Sequence, residues 1–263
     1  MATLTLAHSH SRFLSIIPAR SGSKRLPDKN IKLLCGKPLL AWSIESALDS
    51  AYIDEVVVST DSSVYADIAK SYGANVPFLR PESLSSDTTT TFDVLEHCIR
   101  FYNESLGKEF DYVVLLEPTS PLRVKNGSKN ISDIDRAIQM LLAHKPPKES
   151  KKAEKSQAQA QSIVGISLTE GSNPAFLVRL ENGFIRPYEN MDFKPLRRQE
   201  IKPVYFFEGS LYISSTKALL EHKGFYHHLT LGFEMPKWQS LEVDDIDDFA
   251  MVEAMAERYK ERL

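Results

Sequence analysis

The sequence predicts an α/β protein with a doubly wound, mostly parallel sheet. Three runs rich in apolar and β-branched residues lie at 13–18, 55–60 and 112–116, which is typical of strands buried on both faces. Segments at 64–72 and 92–106 lie between them and carry apolar residues at helical spacing. Alternation of strands and helices favours parallel strands that are joined by right-handed crossovers.

The alternation changes after a further helical stripe at 131–141. Residues 145–161 are rich in Lys, Gln and Ser and lack an apolar period, which predicts a mobile surface loop. A strand at 163–168 follows, and then a hairpin at 175–188 around the turn Glu-Asn-Gly. Together with an apolar strand region at 204–214, this succession of strands without helices predicts a β-rich lobe.

These patterns divide the 263 residues into three parts. Residues 1–11 lack an apolar core segment and are interpreted as a disordered tail. Residues 12–172 and 236–263 are expected to form the main domain, because a final amphipathic helix returns to its core. Residues 173–235 are expected to form the lobe.

Composition limits the classes of partner. The formal net charge is −3, so the whole molecule does not attract nucleic acid, and any anion site is local. The apolar runs are too short to span a membrane, and the first residues do not resemble a secretory signal. Cys35 and Cys98 sit among apolar neighbours, which predicts buried free thiols and a cytoplasmic protein.

The first apolar run ends in a loop that is rich in cations and small residues. Small residues let backbone amides approach an anion closely, and a helix-like segment follows the loop. The pattern therefore predicts a nucleotide triphosphate site, although a solvated charged turn is the alternative, since neither Walker A nor G-x-G-x-x-G occurs. The residues concerned are Arg20, Ser21, Gly22, Ser23, Lys24, Arg25 and Lys29.

Two carboxylates near the carboxyl end alternate around Val243. In an extended segment, Glu242 and Asp244 face the same side, and paired carboxylates suit Mg²⁺ held jointly with phosphates. The alternative is that these acids form the first turn of the last helix. We expect that second role for Asp245, Asp247 and Asp248.

Six stretches, in order along the chain, resemble the acylneuraminate cytidylyltransferases, which include CMP-sialic acid and CMP-legionaminic acid synthetases. One reads Ile-Pro-Ala-Arg-Ser-Gly-Ser-Lys-Arg-Leu-Pro-Asp-Lys-Asn, and another reads Leu-Glu-Pro-Thr-Ser-Pro-Leu-Arg. The six lie at residues 17–30, 59–61, 79–88, 116–123, 207–213 and 240–245.

The resemblance implies a Rossmann-like, GT-A-like nucleotidyltransferase fold with a dimerisation lobe. It implies a Mg²⁺-dependent homodimer in which a nine-carbon 2-keto sugar acid attacks the α-phosphate of CTP and pyrophosphate leaves. The implied catalytic residues are Arg20, Lys29 and Asp244, with Glu242 and Asp244 as metal ligands. The implied nucleotide-binding residues are Arg20, Ser21, Gly22, Lys24, Lys29, Asn30, Arg80 and Thr91. The implied sugar-binding residues are Glu117, Tyr188, Arg197, Arg198, Phe206 and Phe207.

Two residues depart from the family pattern and leave the sugar open. Many members that use common sialic acid have Gln where this chain has Glu117, and the family usually has Asp at the position of Glu242. A carboxylate accepts hydrogen bonds but cannot donate them as an amide does. The remaining hypotheses are a CMP-Kdo synthetase or other sugar nucleotidyltransferase, and a CTP-binding regulatory protein without catalysis.

Overall fold

The computed structural model describes residues 11–127, 130–145, 159–169, 171, 173–188, 197 and 200–263. Residues 1–10 of the predicted tail, most of the predicted mobile loop and Arg198 lie outside these residues. The strands are β1 (Phe13–Pro18), β2 (Leu33–Leu34), β3 (Lys37–Pro38), β4 (Ile53–Ser59), β5 (Tyr112–Leu115), β6 (Ser162–Thr169), β7 (Val178–Glu181), β8 (Phe184–Pro187), β9 (Val204–Ser215) and β10 (Thr230–Glu234). The helices are α1 (Leu39–Leu48), α2 (Ser63–Ser71), α3 (Thr91–Leu106), α4 (Asp133–Ala143), α5 (Thr216–His222) and α6 (Ile246–Tyr259).

A six-stranded sheet in the order β10-β6-β9-β5-β1-β4 forms the centre of the molecule. Strand β1 pairs in parallel with β4 on one side and β5 on the other, and Ile16 lies opposite Val57 and Leu115. Strand β10 is parallel to β6, whereas β9 is antiparallel to both β5 and β6. The predicted mostly parallel α/β sheet is therefore confirmed, with one antiparallel strand inside it.

Helices cover both faces of this sheet, as the apolar strands predict. Phe13 and Ile17 of β1 pack with α1, α2 and α4, whereas Leu14 and Ile16 pack with α3 and α5. Both faces are needed because successive strand residues point in opposite directions. A third cluster holds α6 against α1, with Val252 packed among the residues around Trp42.

The lobe predicted at 173–235 is wrong in its extent. Strands β9 and β10 belong to the central sheet, and Leu211 and Ile213 of β9 are buried in its two-sided core. The run of strands without helices arises because β9 enters the sheet antiparallel and so needs no crossover helix from its neighbours. The predicted hairpin is present as β7 and β8, which pair with each other as a separate two-stranded sheet.

The amino-terminal ends of α3 and α6 follow the expected capping chemistry. Thr90 and Asp93 form a capping box at the start of α3, and Asp245 and Asp248 form another at the start of α6. The helix-start role expected for the last acidic residues is thus present for Asp245 and Asp248. Among the described residues, no helix combines the length and apolarity that a bilayer crossing requires.

Of the two cysteines predicted to be buried, Cys98 is buried and Cys35 is exposed. Cys35 and Gly36 form the turn between β2 and β3, with φ of 49° and 79°. A turn tip of this kind projects from the packed layers, so the apolar neighbours of Cys35 in the sequence did not indicate burial.

Candidate active site

A cavity of about 470 Å³ opens where the loops after β1 and β5 meet the segment before α6. This is the carboxyl edge of parallel strands, where open α/β sheets bind ligands. The cavity brings together predicted site residues that are far apart in the sequence. Its lining includes Arg20, Lys24, Lys29, Asn30, Arg80, Thr91, Glu117, Glu242 and Asp244.

Lys29 links the loop after β1 to the segment before α6 at this cavity. Its Nζ donates to the carbonyl oxygen of Val243 at 3.0 Å and lies 3.4 Å from Oδ1 of Asp244. The Lys29 side chain is only 18% exposed, so its ammonium group is held in one place. A fixed cation beside a carboxylate is the arrangement needed to neutralise a metal-bound phosphate.

Hydrogen bonds to Asn30 and Asp61 fix the loop after β1. Asn30 donates through Nδ2 to the backbone oxygen of Arg20 at 3.0 Å. Asp61 accepts from the backbone amide of Ser21 at 2.9 Å and from its hydroxyl at 3.0 Å. These contacts hold Ser21 against Asp61, and neither Ser21 nor Gly22 lines the cavity. The cation side chains line it instead.

Arg80 is a buried guanidinium on a residue that lines the cavity. It is 5% exposed, and burial lowers its pKa. Within the described part of the chain, its Nε and Nη2 have no hydrogen-bond partner. Buried donors without a partner are costly, so a ligand acceptor at this position would be well bound. The O2 and N3 edge of cytosine offers such acceptors.

Glu117 follows β5, and hydrogen bonds fix its backbone. Its backbone oxygen accepts from Nη2 of Arg123 at 2.9 Å and from the Ser43 hydroxyl at 3.2 Å. Burial, followed by the charge of Glu242, raises the pKa of Glu117 to about 7. Arg123 is fully buried and also donates to the Ser210 carbonyl at 2.5 Å. Sequence reasoning missed this positioning role, although Arg123 ends the quoted Pro-Thr-Ser-Pro-Leu-Arg stretch.

Gly209 allows β9 to approach these carboxylates. A Cβ at this position would lie 2.6 Å from Oγ of Ser120, and 3.5 Å from both Oε2 of Glu117 and Cδ of Glu242. Any larger residue would therefore push the strand away from the site. The close approach explains the glycine at this position of β9.

Glu242 and Asp244 form the acidic side of the cavity. Both side chains are exposed around the buried Val243, whose amide donates to the Thr119 carbonyl at 2.8 Å. Thr119 Oγ1 donates to Glu242 Oε1 at 3.1 Å, and Asp244 faces Lys29. The described residues contain no group of three or more metal-ligating side chains. Two carboxylates still fit Mg²⁺, because this ion commonly completes its shell with phosphate oxygens and water.

A second cavity of about 520 Å³ adjoins the first and shares Thr90, Thr91 and Glu117 with it. Its walls are mainly apolar and aromatic, and they include Leu95, Leu115, Tyr212, Phe225 and Tyr226. Sequence reasoning missed the aromatic residues of this cavity. The available signal was the matched stretch 207–213, which contains Tyr212. Alternate residues of a strand face the same side, so Tyr212 could have been assigned to one face of this strand.

Several predicted sugar residues do not reach either cavity of this chain. Phe206 and Phe207 are 42% and 60% exposed on the distal part of β9, beyond an irregularity in its pairing with β6. Tyr188 follows the hairpin, where Arg179 stacks on its ring. Arg197 is exposed, and Arg198 lies outside the described residues. Tyr188, Phe206 and Phe207 therefore do not line either of these two cavities, and their role as walls of a sugar pocket stays a prediction.

Comparisons with known proteins find sequence relatives over most of the chain. A cytidylyltransferase family profile matches residues 14–226. The chain is 34% identical to the CMP-N,N'-diacetyllegionaminic acid synthase of Legionella pneumophila, covering 96% of this chain and 99% of that protein. It is 33% identical to the pseudaminic acid cytidylyltransferase of Campylobacter jejuni, covering 89% and 92%. It is 34% identical to the N-acylneuraminate cytidylyltransferase of Escherichia coli over 92% of this chain, but spans only 51% of that protein.

Solved structures share the fold. A CMP:2-keto-3-deoxy-manno-octonic acid synthetase complexed with CTP aligns with a TM-score of 0.60 at 18% identity, covering 94% of this chain and 99% of that one. A cytidylyltransferase from Leptospira borgpetersenii aligns with a TM-score of 0.56 at 17% identity, covering 96% and 95%. The profile and the sequence relatives confirm the resemblance seen in the sequence, and the chain belongs to the cytidylyltransferase family of nucleotidyltransferase enzymes.

Proposed function

We propose that this enzyme forms a CMP-nonulosonate from CTP and a nine-carbon 2-keto sugar acid, with release of pyrophosphate. The names of the sequence relatives support this reaction, since they act on legionaminic, pseudaminic and acylneuraminic acids. The observation that carries the proposal is the single cavity that joins Arg20, Lys29, Arg80 and Asp244. These residues supply donors for a base, cations for phosphates and a carboxylate for a metal.

The chain's own residues account for most of the chemistry that this reaction needs. The oxygen of the sugar's anomeric hydroxyl forms a bond to the α-phosphorus and gives up its proton to solvent, and the bond from that phosphorus to the pyrophosphate oxygen breaks. Such a displacement depends on positioning and on neutralising charge rather than on covalent catalysis. Arg20 and Lys29 bind the phosphates, Arg80 binds the base edge, and Thr91 lies beside it at the start of α3.

Glu242 and Asp244 would hold Mg²⁺ together with the phosphates. When bound, the ion would supply positive charge to the phosphoryl oxygens and to the leaving pyrophosphate. Lys29 keeps Asp244 on the phosphate side, and Thr119 orients Glu242 through its hydroxyl. Because Glu is one methylene longer than Asp, the side chain of Glu242 needs the hydrogen bond from Thr119 to hold its position.

The sugar acid would occupy the second cavity, next to Glu117. Tyr212, Phe225 and Tyr226 offer flat apolar walls for the ring and acyl groups of a modified sugar. Glu117 stands between the two cavities and can accept a hydrogen bond from a sugar hydroxyl. In its ionised form Glu117 favours sugars that present a donor, whereas in its protonated form, which a pKa of about 7 makes available, it can also donate to an acceptor.

The functional unit is proposed to be a cytoplasmic homodimer. The hairpin of β7 and β8 carries Val178, Leu180, Phe184 and Ile185, which are between 50% and 75% exposed. An apolar surface of this kind on a small projecting hairpin suits a second copy of the chain. A sugar-contacting role for Arg197 or Arg198 would then be exerted in the partner's site.

Pyrophosphate release from CTP, measured with sialic, legionaminic, pseudaminic and Kdo acids, tests this function. We expect turnover with at least one nine-carbon acid, little with Kdo, and dependence on Mg²⁺. Preference for Kdo would move the enzyme to that substrate class, to which a solved structure of the same fold belongs. Folded protein that binds CTP but turns over none of the four acids would favour the regulatory alternative.

A further inference from the structure

Asp87 makes the direct contacts to two of the cations that are predicted to bind phosphate. Its Oδ1 lies 2.7 Å from Nη1 of Arg20, and its Oδ2 forms an ion pair with Nζ of Lys24. The carboxylate lines the nucleotide cavity and is about half exposed. Lys24, and then Arg20, hold the pKa of Asp87 below its usual range. The side chain is therefore an anion placed on the phosphate-binding cations.

The cations of the phosphate loop divide between two carboxylates. Arg20 and Lys24 pair with Asp87, whereas Arg25 and Lys29 lie near Asp244 at 3.7 and 3.4 Å. Asp244 has a neighbouring carboxylate and suits a metal ion, which would offset its charge beside a phosphate. Each carboxylate pairs with two of the four cations, so the ion pairs alone do not distinguish them. Asp244 differs because Glu242, two positions away, lines the same cavity and could share a metal ion with it.

A triphosphate and Asp87 compete for the same donors. Phosphate oxygens that bind Nη1 of Arg20 and Nζ of Lys24 would take the positions that Asp87 now fills. Two anions held within a few Å of each other repel, and the repulsion is largest where water is partly excluded. Binding of a triphosphate at these cations therefore requires Asp87 to withdraw.

The segment around Asp87 can withdraw without breaking other long-range contacts. The other hydrogen bonds described for residues 85–89 are local: Thr89 donates its amide to Ser86, and the Ser86 hydroxyl bonds those of Thr88 and Thr89. Ser85 bonds back to Pro81 and Glu82. The capping box that starts α3 begins only at Thr90, so the helix is independent of this movement.

We propose that Asp87 occupies a phosphate position in the free enzyme, and that CTP binds by displacing its carboxylate from Arg20 and Lys24. This inference rests on the proposed function, because it takes the two cations as ligands of the triphosphate. Asp87 keeps them oriented while the site is empty and lowers the affinity for any polyphosphate. It also favours release of pyrophosphate, since the carboxylate returns to the same donors as the product leaves.

The test is calorimetric binding of inorganic tripolyphosphate, CTP and CMP to the full chain and to Asp87→Asn. We expect the variant to bind tripolyphosphate and CTP about three- to tenfold more tightly, the sum expected for two solvent-accessible ion pairs. CMP lacks the terminal phosphates, so its affinity should stay the same. Asp87→Ser serves as a second variant, and Glu82→Gln removes an exposed carboxylate of the same segment that does not line the cavity.

Each outcome decides the proposal. Weaker binding of tripolyphosphate by both Asp87 variants would mean that the carboxylate only positions the cations, and unchanged binding would mean that it does not compete. Equal tightening for CMP would assign the effect to general charge rather than to displacement at the terminal phosphates. Failure of the wild-type chain to bind any polyphosphate would overturn this proposal, whereas tight binding without sugar transfer would count against the proposed function alone.

Discussion

At the scale of single residues, Asp244 connects the phosphate loop with the acidic segment before α6. It faces Lys29 and Arg25 from the phosphate loop, and it shares one side of an extended segment with Glu242. Its side chain is 55% exposed, so it contributes little to packing. A residue with these contacts serves charge placement in the cavity rather than stability of the fold.

Replacing Asp244 by Ala should therefore lower the rate of turnover strongly and leave the fold intact. We expect a loss of about a hundredfold or more in kcat, because a metal ligand supplies several kcal/mol where charge develops. Pyrophosphate release at varied Mg²⁺, together with thermal unfolding, measures both effects. Asp247→Ala, which removes a nearby acid in the first turn of α6, is the control. Wild-type rates in Asp244→Ala would remove the residue from the mechanism.

A second prediction concerns Glu208, a 2% exposed carboxylate beneath the site. Burial raises its pKa from its ordinary value of 4.5 to about 7. The folded state then holds a proton that the unfolded state has lost, so the stabilising effect is complete below pH 4.5 and disappears as the pH rises to about 7. The size of this effect is up to about 3 kcal/mol for such a shift.

Glu208→Gln should flatten this fall in stability between pH 4.5 and 7. Denaturant unfolding at several pH values gives the free energy of unfolding for the variant and the wild type. Glu234→Gln, on the exposed side of β10, should leave the slope unchanged. A slope that is the same in Glu208→Gln and wild type would show that Glu208 titrates alike in both states.

Individual residues also show where the sequence was sufficient. The resemblance to the cytidylyltransferases implied that Arg20, Lys29, Arg80 and Asp244 all serve CTP, and these residues line one cavity. Asp87 was not predicted as a site residue. Its role depends on a loop that bends back to the cations 67 residues earlier, and local composition does not report such a contact.

At the scale of elements, β9 explains the main error of the sequence interpretation. Its apolar pattern correctly predicted a strand, but alternation alone does not say which strands are its neighbours. Residues 204–207 pair with β6 alone, whereas 212–215 lie between β5 and β6. The same strand therefore has an exposed distal part and a buried central part, which made it resemble a separate lobe.

The hairpin of β7 and β8 provides the prediction at this scale. Leu180 and Ile185 are directly paired and exposed by 75% and 54%. An exposed apolar pair on a two-stranded sheet is poorly stable alone, so a partner surface should cover it. Leu180→Asp combined with Ile185→Asp should convert a dimer into a monomer in light scattering. Leu106→Asp, which changes an exposed leucine of α3, should not.

A hairpin variant that remains dimeric would locate the interface elsewhere. A wild-type chain that is monomeric at all concentrations would contradict the proposed homodimer. Loss of the dimer interface should also weaken binding of the sugar acid more than binding of CTP, because the nucleotide cavity is built from one chain. The ratio of the two KM values separates these effects.

At the scale of the whole molecule, the nucleotide cavity is held by contacts between distant parts of the chain. Lys29 and Val243 are 214 positions apart, and α6 packs on α1 through the Trp42 cluster. A ligand that bridges the phosphate loop and the acidic segment can bind only when both are folded together. Binding should therefore stabilise the entire main sheet rather than one loop.

CTP with Mg²⁺ should raise the melting temperature accordingly. At a concentration of one hundred times Kd, the gain is about 2.7 kcal/mol, which corresponds to about 5–10 °C for a domain of this size. Lys29→Ala should lose most of this shift, because it removes the contact between the two ends, whereas Lys217→Ala on α5 should retain it. An equal shift in Lys29→Ala and wild type would show that CTP binds without joining the loop to the acidic segment. The proposed arrangement of phosphate, metal and carboxylate would then have to be abandoned.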